Sequence, residues 1–319
     1  MLCFNQWNSR TRFGIVLLVC IGAIFFTIAG KAFEKGSKND EKMQLKIMTF
    51  NIHKGGELFT VEEIAKGISL ANADIAGIQE PYQSLPKLAK ELGYYYSKSA
   101  GILSRFPIVN KDEEDFVYVE VTRGKAVAVS NVHLPAAPYM PYLLRDKEFS
   151  VSQVYQYEKT GARMKTLESR FESLPKIASK GMPVFLIGDF NSPSHLDWTD
   201  AAKANHYGFV VKWPISLKLE QLGFHDSYRE IHPNPVEKPA YTWNSGYPGE
   251  KNRIEPNEKH DRIDFVYHSG PSKVKDSKIV GEPGPYSELR MIPWPSDHRA
   301  VVSTFEVVPA SIPRSLFQF

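Results

Sequence analysis

Residues 184–191 read Val184-Phe185-Leu186-Ile187-Gly188-Asp189-Phe190-Asn191, an apolar run that stops on two polar side chains. The run has the length of a short buried strand. Gly188 lets the backbone leave that strand sharply, and Asp189 and Asn191, two apart in extended chain, face the same way. An aspartate so placed orients or deprotonates a water, while the Asn191 amide donates to an oxygen on which charge is building. An isolated Asp-Phe-Asn is also an ordinary Asx turn. The reading therefore depends on whether the pattern recurs.

It does recur, in a fixed order along the chain. Strand-like residues 45–50 end on Asn51-Ile52-His53, residues 74–79 on Gln79-Glu80, and residues 126–132 on Val132-His133-Leu134. Arg262-Ile263-Asp264 opens a strand over 263–267, and Ser296-Asp297-His298 precedes one over 300–307. Further strands are expected over 101–104, 116–121 and 275–280. Thr60-Val61-Glu62-Glu63 is a capping box that opens a helix to about residue 72. Other helices are expected after Ser84 and over 154–174, 196–204 and 217–222. Mixed helices and strands with tight connections predict an α+β fold, two sheets packed face to face with helices outside. The strand ends then meet at one rim, where loops carry chemistry.

The residue types at that rim suit a hard cation and a phosphate ester. Glu80 offers a carboxylate, although a lone glutamate at a strand end is usually a solvated turn residue. Asn51 can add a carbonyl oxygen or fix Glu80 through its amide; taken alone it reads as a strand-ending turn residue. His298 needs an orienting carboxylate to serve as a base or to stay charged beside phosphate. Asp264 and Asp261 both qualify by spacing. His133 can donate to a phosphate oxygen or be a satisfied structural histidine. Trp243 is expected in the core rather than in the cleft. The aromatic stretch Pro138-Tyr139-Met140-Pro141-Tyr142 is a connector, a packed lid or a bilayer-touching loop.

The ordered set Thr49-Phe50-Asn51-Ile52, Gln79-Glu80, Ile102-Leu103-Ser104-Arg105-Phe106-Pro107-Ile108, His133-Leu134, Gly188-Asp189-Phe190-Asn191, Arg262-Ile263-Asp264 and Ser296-Asp297-His298 resembles the endonuclease/exonuclease/phosphatase superfamily. That superfamily includes deoxyribonuclease-I-like and exonuclease-III-like nucleases, neutral sphingomyelinases and inositol polyphosphate 5-phosphatases. The resemblance covers residues 45–307 and implies a four-layer αββα sandwich, a divalent metal (Mg²⁺, with Mn²⁺ as substitute) and hydrolysis of phosphoesters. It implies Glu80 as principal metal ligand with Asn51 beside it and Asp297 adding charge. Asp189 and Asn191 would position the attacking water and stabilise the transition state, Asp264 would orient His298, and His133 would contact phosphate. Either His298 or Asp189 is the general base. One departure is His53, which stands where abasic-site nucleases place an acid, and it weakens an exonuclease-III-like assignment. The implied substrates are nucleic acid or a lipid headgroup, and no protein partner is expected. The competing reading is a membrane-tethered, catalytically inactive binding module. A decayed site of that kind would have lost Glu80, Asp189 or His298, and all three are present.

Composition bounds the rest. With 319 residues, 42% hydrophobic and 24% charged, the chain is long and apolar enough to fold. A formal net charge of +3 does not by itself argue for a polyanion partner. Both cysteines, Cys3 and Cys20, precede the folded region, so disulfide and zinc–thiolate chemistry are excluded there. Residues 1–12 are a short polar N-terminus. Residues 13–30 carry an unbroken apolar run that reads as an uncleaved signal anchor in preference to a signal peptide. Residues 31–43 read as a polar linker, 44–308 as the catalytic domain and 309–319 as a tail. The expected location is the outer face of a membrane, or secretion if the segment is cleaved, although the lysines after the run do not favour export.

Overall fold

The computed structural model describes residues 41–57, 59–109, 115–246 and 259–312. Alternate side chains of the strand Met43–Asn51 part to opposite faces. Leu45 and Ile47 enter a central core, while Met48 and Phe50 enter a second one. The strand runs parallel to Ile75–Gln79 and antiparallel to Ala300–Val307. Because both faces are covered, residues 47–51 are buried in succession. These three strands form the middle of a seven-stranded mixed sheet.

A second seven-stranded sheet is built on Lys125–His133, Val184–Asp189 and Asp264–Ser269, the first pair parallel and the third strand antiparallel. Val127, Val129, Phe185, Ile187 and Val266 from this sheet meet Leu45, Ile47, Val301 and Phe305 from the first in the central core. Helices Val61–Ala71 and Leu85–Leu92 cover the outside of the first sheet through Ile64, Ile68, Leu85 and Leu88. Helices Glu168–Ala178 and Pro214–Gln221 cover the outside of the second through Leu174, Ile215 and Leu219. The fold is the α+β sandwich of two mixed sheets between helical layers. A polar bridge crosses between the sheets here: the Gln79 amide donates to Asn131 Oδ1 at 2.6 Å, and Asn131 Nδ2 donates back to the carbonyls of Ile78, Ala100 and Gly101.

The Thr60 capping box forms as expected, and such a cap is worth about 1 kcal/mol. Elsewhere local expectations fail for identifiable reasons. The helix expected over 154–174 is three, Val151–Thr160, Ala162–Thr166 and Glu168–Ala178, broken where Gly161 takes extended backbone. No α-helix forms over 196–204, which holds turns and part of the 3₁₀ turn Lys203–Asn205. There Asp197 is drawn inward by Arg229 and Arg262, and Trp198 is buried, so side-chain anchors replace the helical ladder. The aromatic stretch leads into a helix, Met140–Arg145, with Met140 and Pro141 buried. Pro138 is exposed, and Tyr139 and Tyr142 are half-buried. Ala310–Ser311 pairs with Ala126 and Lys125, so the sheet continues past residue 308. The expected anchor over 13–30 and most of the linker lie outside the described residues. Among the described residues no helix is long and apolar enough to cross a membrane.

Candidate active site

Register brings the polar strand ends together. Asn51 is opposite Gln79, and His133 is opposite Asp189, each across a parallel pair whose strands end at the same rim. Asp264, the first residue of an antiparallel strand, is opposite Asp189 as well. The strand Ala300–Val307 starts at that rim, which puts His298 there. Gly188 makes the approach possible. Its φ is +145°, and a Cβ at this position would run into the Val132 carbonyl of the neighbouring strand.

Glu80 is held by backbone. His53, Lys54, Gly55 and Gly56 all have positive φ, from 47° to 72°, making a left-handed turn after the first strand. The Lys54 N–H donates to Glu80 Oε2 at 2.7 Å, and the Gly55 N–H donates to the Glu80 carbonyl at 2.7 Å. The two glycines suit this turn, but His53 and Lys54 adopt it at a conformational cost. Asn51 links the acids: its Nδ2 donates to Glu80 Oε1 at 3.3 Å and Asp189 Oδ2 at 3.0 Å, while its Oδ1 accepts the His53 N–H. Of the two roles open to Asn51, this contact is the one that fixes Glu80 by the amide.

Asp189 is the hub. Besides the Asn51 amide, its Oδ2 lies 3.6 Å from His133 Nε2 and 3.8 Å from His298 Nε2, and His133 Nε2 is 3.9 Å from Glu80 Oε1. These separations exceed hydrogen bonds. The groups surround a point rather than closing on one another. Asp189 Oδ1 accepts the Asn191 N–H, so the Asx turn is real as well. The Asn191 side chain donates to the Leu134 carbonyl at 3.0 Å, which ties it to the strand end that carries His133. His298 Nδ1 hydrogen-bonds Asp264 Oδ2 at 2.9 Å. The rival acid is engaged elsewhere: Asp261 accepts from Trp198 Nε1 and the Tyr139 hydroxyl.

Burial pushes the Asp189 carboxyl up to about 6, with Asp264 adding to the rise and His298 opposing it. Burial alone would lower His298, but Asp264 and Asp189 outweigh it and push the imidazole up to about 10. Asp297 sits at the other side of the rim. Burial would raise it, but the hydrogen bond from His53 and the charge of His298 bring it down to about 2. Its Oδ1 is 3.2 Å from His53 Nδ1, so His53, noted in the sequence only as a departure, is a member of the site. Trp243 is a second member that the sequence did not assign. It is half-buried, not core, and its ring centre is 6.4 Å from that of His298. Its backbone bridges to both Asp261 and His298.

A hard divalent cation needs oxygen donors. Glu80 and Asp189 supply them side by side, bridged by the Asn51 amide. Among the described residues no lysine or arginine side chain pairs with Glu80, Asp189 or Asp264, and the buried Asp264 Oδ1 has no hydrogen-bond partner. Asp189, Asp264 and His298 also offer atoms within 4.8 Å of one another. In that trio, His298 Nδ1 is already hydrogen-bonded to Asp264 Oδ2. The residues present fit a cation on the Glu80 side of the cluster.

The profile of the Endonuclease/Exonuclease/phosphatase family matches residues 48–298. An uncharacterized protein of Caenorhabditis elegans is 32% identical over 295 residues, covering 83% of this chain and 92% of that one. Among solved structures, an AP endonuclease from Archaeoglobus fulgidus is similar with a TM-score of 0.52 at 21% identity, covering 81% of this chain and 98% of that one. An endonuclease/exonuclease/phosphatase protein from Beutenbergia cavernae has a TM-score of 0.51 at 16% identity, covering 83% and 72%. Those two likenesses bear on the fold. The family match spans most of the chain and every member of the clustered rim, and the chain belongs to the endonuclease/exonuclease/phosphatase family, a family of metal-dependent phosphoric ester hydrolases.

Proposed function

We propose that this hydrolase cleaves phosphodiester bonds of nucleic acid, using Mg²⁺ or Mn²⁺. The observation that carries the reading is the ring of Asn51, Glu80, His133 and His298 around the Asp189 carboxylate. Glu80 would hold the cation, with Asn51 beside it fixing the carboxylate through its amide and Asp297 on the flank. When bound, it would draw charge from a nonbridging phosphate oxygen. Asp189 would take the proton of the attacking water, His298 would stay charged beside the phosphate, and Asp264 would keep the His298 ring oriented. His133 and Asn191 would donate to the developing charge, the preorganised field that usually dominates such catalysis. The similarity to an AP endonuclease supports nucleic acid over a lipid headgroup as substrate class. Location outside the cytoplasm, tethered by or released from residues 13–30, belongs to the same proposal and rests on the sequence.

The test is a screen of the purified full chain with Mg²⁺, Mn²⁺ or EDTA against single- and double-stranded DNA, sphingomyelin, phosphoinositides and bis-p-nitrophenyl phosphate. Metal-dependent cleavage of nucleic acid is expected. Asp189→Ala and His298→Ala should each cost at least ~10³-fold in kcat, by loss of general base or charge stabilisation. Near-normal turnover by either variant refutes its role.

A further inference from the structure

One step below the rim, a row of hydrogen bonds ties the two sheets together. Thr49 stands two residues before Asn51, Gln79 one before Glu80, and Asn131 two before His133. Residues two apart in a strand face the same way, so Thr49 lies beneath Asn51 and Asn131 beneath His133. The Thr49 hydroxyl donates to Gln79 Oε1 at 3.2 Å, and the Gln79 amide donates to Asn131 Oδ1 at 2.6 Å. Asn131 Nδ2 reaches the carbonyls of Ile78, Ala100 and Gly101 at 3.1–3.2 Å. The first sheet is cut away to receive this side chain. A Cβ on Gly77 would lie 2.6 Å from Asn131 Oδ1, and one on Gly101 would lie 2.9 Å from Asn131 Nδ2. Asn131 is a peg from the second sheet seated in a socket of the first, with both ends of its amide engaged.

Resting on the metal-dependent phosphodiesterase reading above, we propose that Asn131, acting through Gln79, is a positioning residue that sets how far the Glu80 carboxylate stands from Asp189 and His133 across the cleft. The oxygen donors offered to a cation come from both sheets. Glu80 follows a strand of the first, and Asp189 ends a strand of the second. The gap between the sheets therefore decides whether the two carboxylates act together. Like charges facing each other repel, so an unbraced cleft would spread before a cation arrives. The row below resists that spreading. Parting the sheets there would pull Asn131 off Gln79 and three carbonyls at once, and leaving such groups unpaired is costly. Thr49 and Gln79 are buried and Asn131 is half-buried. A satisfied polar network of this kind fixes one arrangement, where apolar contacts alone would allow sliding.

The test reads binding of Mn²⁺ alone to the purified full chain, from the loss of the free-ion paramagnetic resonance signal, with urea denaturation giving the folded fraction. Asn131→Ala withdraws the peg, and Gln79→Met keeps the length of the side chain but breaks its bond to Asn131. Each should bind Mn²⁺ about 10- to 100-fold more weakly per folded molecule, the range for partners that hold a ligand in place. Each should also lose about 10²-fold in kcat, the scale of a misplacement of roughly 1 Å. The double variant should lose little beyond the worse single one, because the two side chains form one strut. Thr49→Val keeps shape and removes only the donor to Gln79, so it should shift Mn²⁺ affinity in the same direction by less, and it serves where the other two fail to fold. Wild-type Mn²⁺ affinity in the folded fraction of the variants overturns the positioning role and leaves the phosphodiesterase standing. Weakened Mn²⁺ binding in the variants, with no cleavage of nucleic acid or of any diester by the wild-type chain, supports the strut and sinks the reading of the reaction.

Discussion

Arg262 stands two residues before the strand that Asp264 opens, and its replacement by methionine should test how the site is held. The guanidinium is buried between two carboxylates. It bonds both oxygens of Asp197 at about 3.0 Å and Asp226 Oδ1 at 2.9 Å. Asp197 keeps Arg229, whose Nε is 2.6 Å away. Asp226 keeps only the Tyr228 and Arg229 N–H groups of its helix cap. Removing one partner of such a buried pair leaves an uncompensated charge and costs about 3–5 kcal/mol. For a domain of this size each kcal/mol is worth about 2–4 °C, so Arg262→Met should lower Tm by roughly 6–20 °C. Adding Asp226→Asn removes the stranded charge and should restore about 1–3 kcal/mol, because the two positions share a contact. Urea denaturation followed by tryptophan fluorescence reports both values, Trp198 and Trp213 being buried and in contact. A loss below 1 kcal/mol for Arg262→Met, or no recovery in the double variant, would refute the ion-cluster argument.

Three further outcomes follow from single contacts. Asp264→Asn keeps the size of the side chain that holds His298 Nδ1 but removes its charge, so kcat should fall by about 10²–10⁴-fold with little change in KM; steady-state kinetics at saturating Mg²⁺ decide it. Gly188→Ala forces a methyl toward the Val132 carbonyl at a φ of +145°, and it should cost about 2 kcal/mol or more in denaturation, with activity lost in parallel. His206 is buried against Trp198, and burial pushes its imidazole down to about 4. The unfolded chain protonates near 6.5 while the folded one resists, so stability drains as pH falls from about 6.5 to 4, by about 3 kcal/mol in all. His206→Phe keeps the stack and cannot titrate. Its stability relative to wild type should therefore improve over that window, and an unchanged difference between pH 7 and pH 4 would count against the assignment.

The fold was legible because largely apolar runs end on Asn51, Glu80, His133 and Asp189, as strands covered on both faces do. Parallel pairing then delivered those ends to one rim. The choice between Asp264 and Asp261 was not legible, since both sit near the same strand start. Cross-strand register against Asp189 and the capture of Asp261 by Trp198 and Tyr139 decide it. His53 and Trp243 escaped for a related reason. One lies on a left-handed turn and the other on a bridge between distant segments, and neither position has a periodicity to read. The helix expected over 154–174 failed at Gly161, and the one over 196–204 failed because buried charge pairing outweighed helix propensity.

Hydrolysis of a single-stranded DNA oligonucleotide as a function of Mg²⁺, wild type against Glu80→Gln, tests the central claim most directly. The account predicts wild-type turnover that EDTA abolishes, and a variant needing about 10- to 100-fold more Mg²⁺ for half its reduced maximum, since a neutral amide is a poorer ligand than a carboxylate. Turnover indifferent to EDTA, or a Glu80→Gln variant with the wild-type Mg²⁺ requirement, would contradict it.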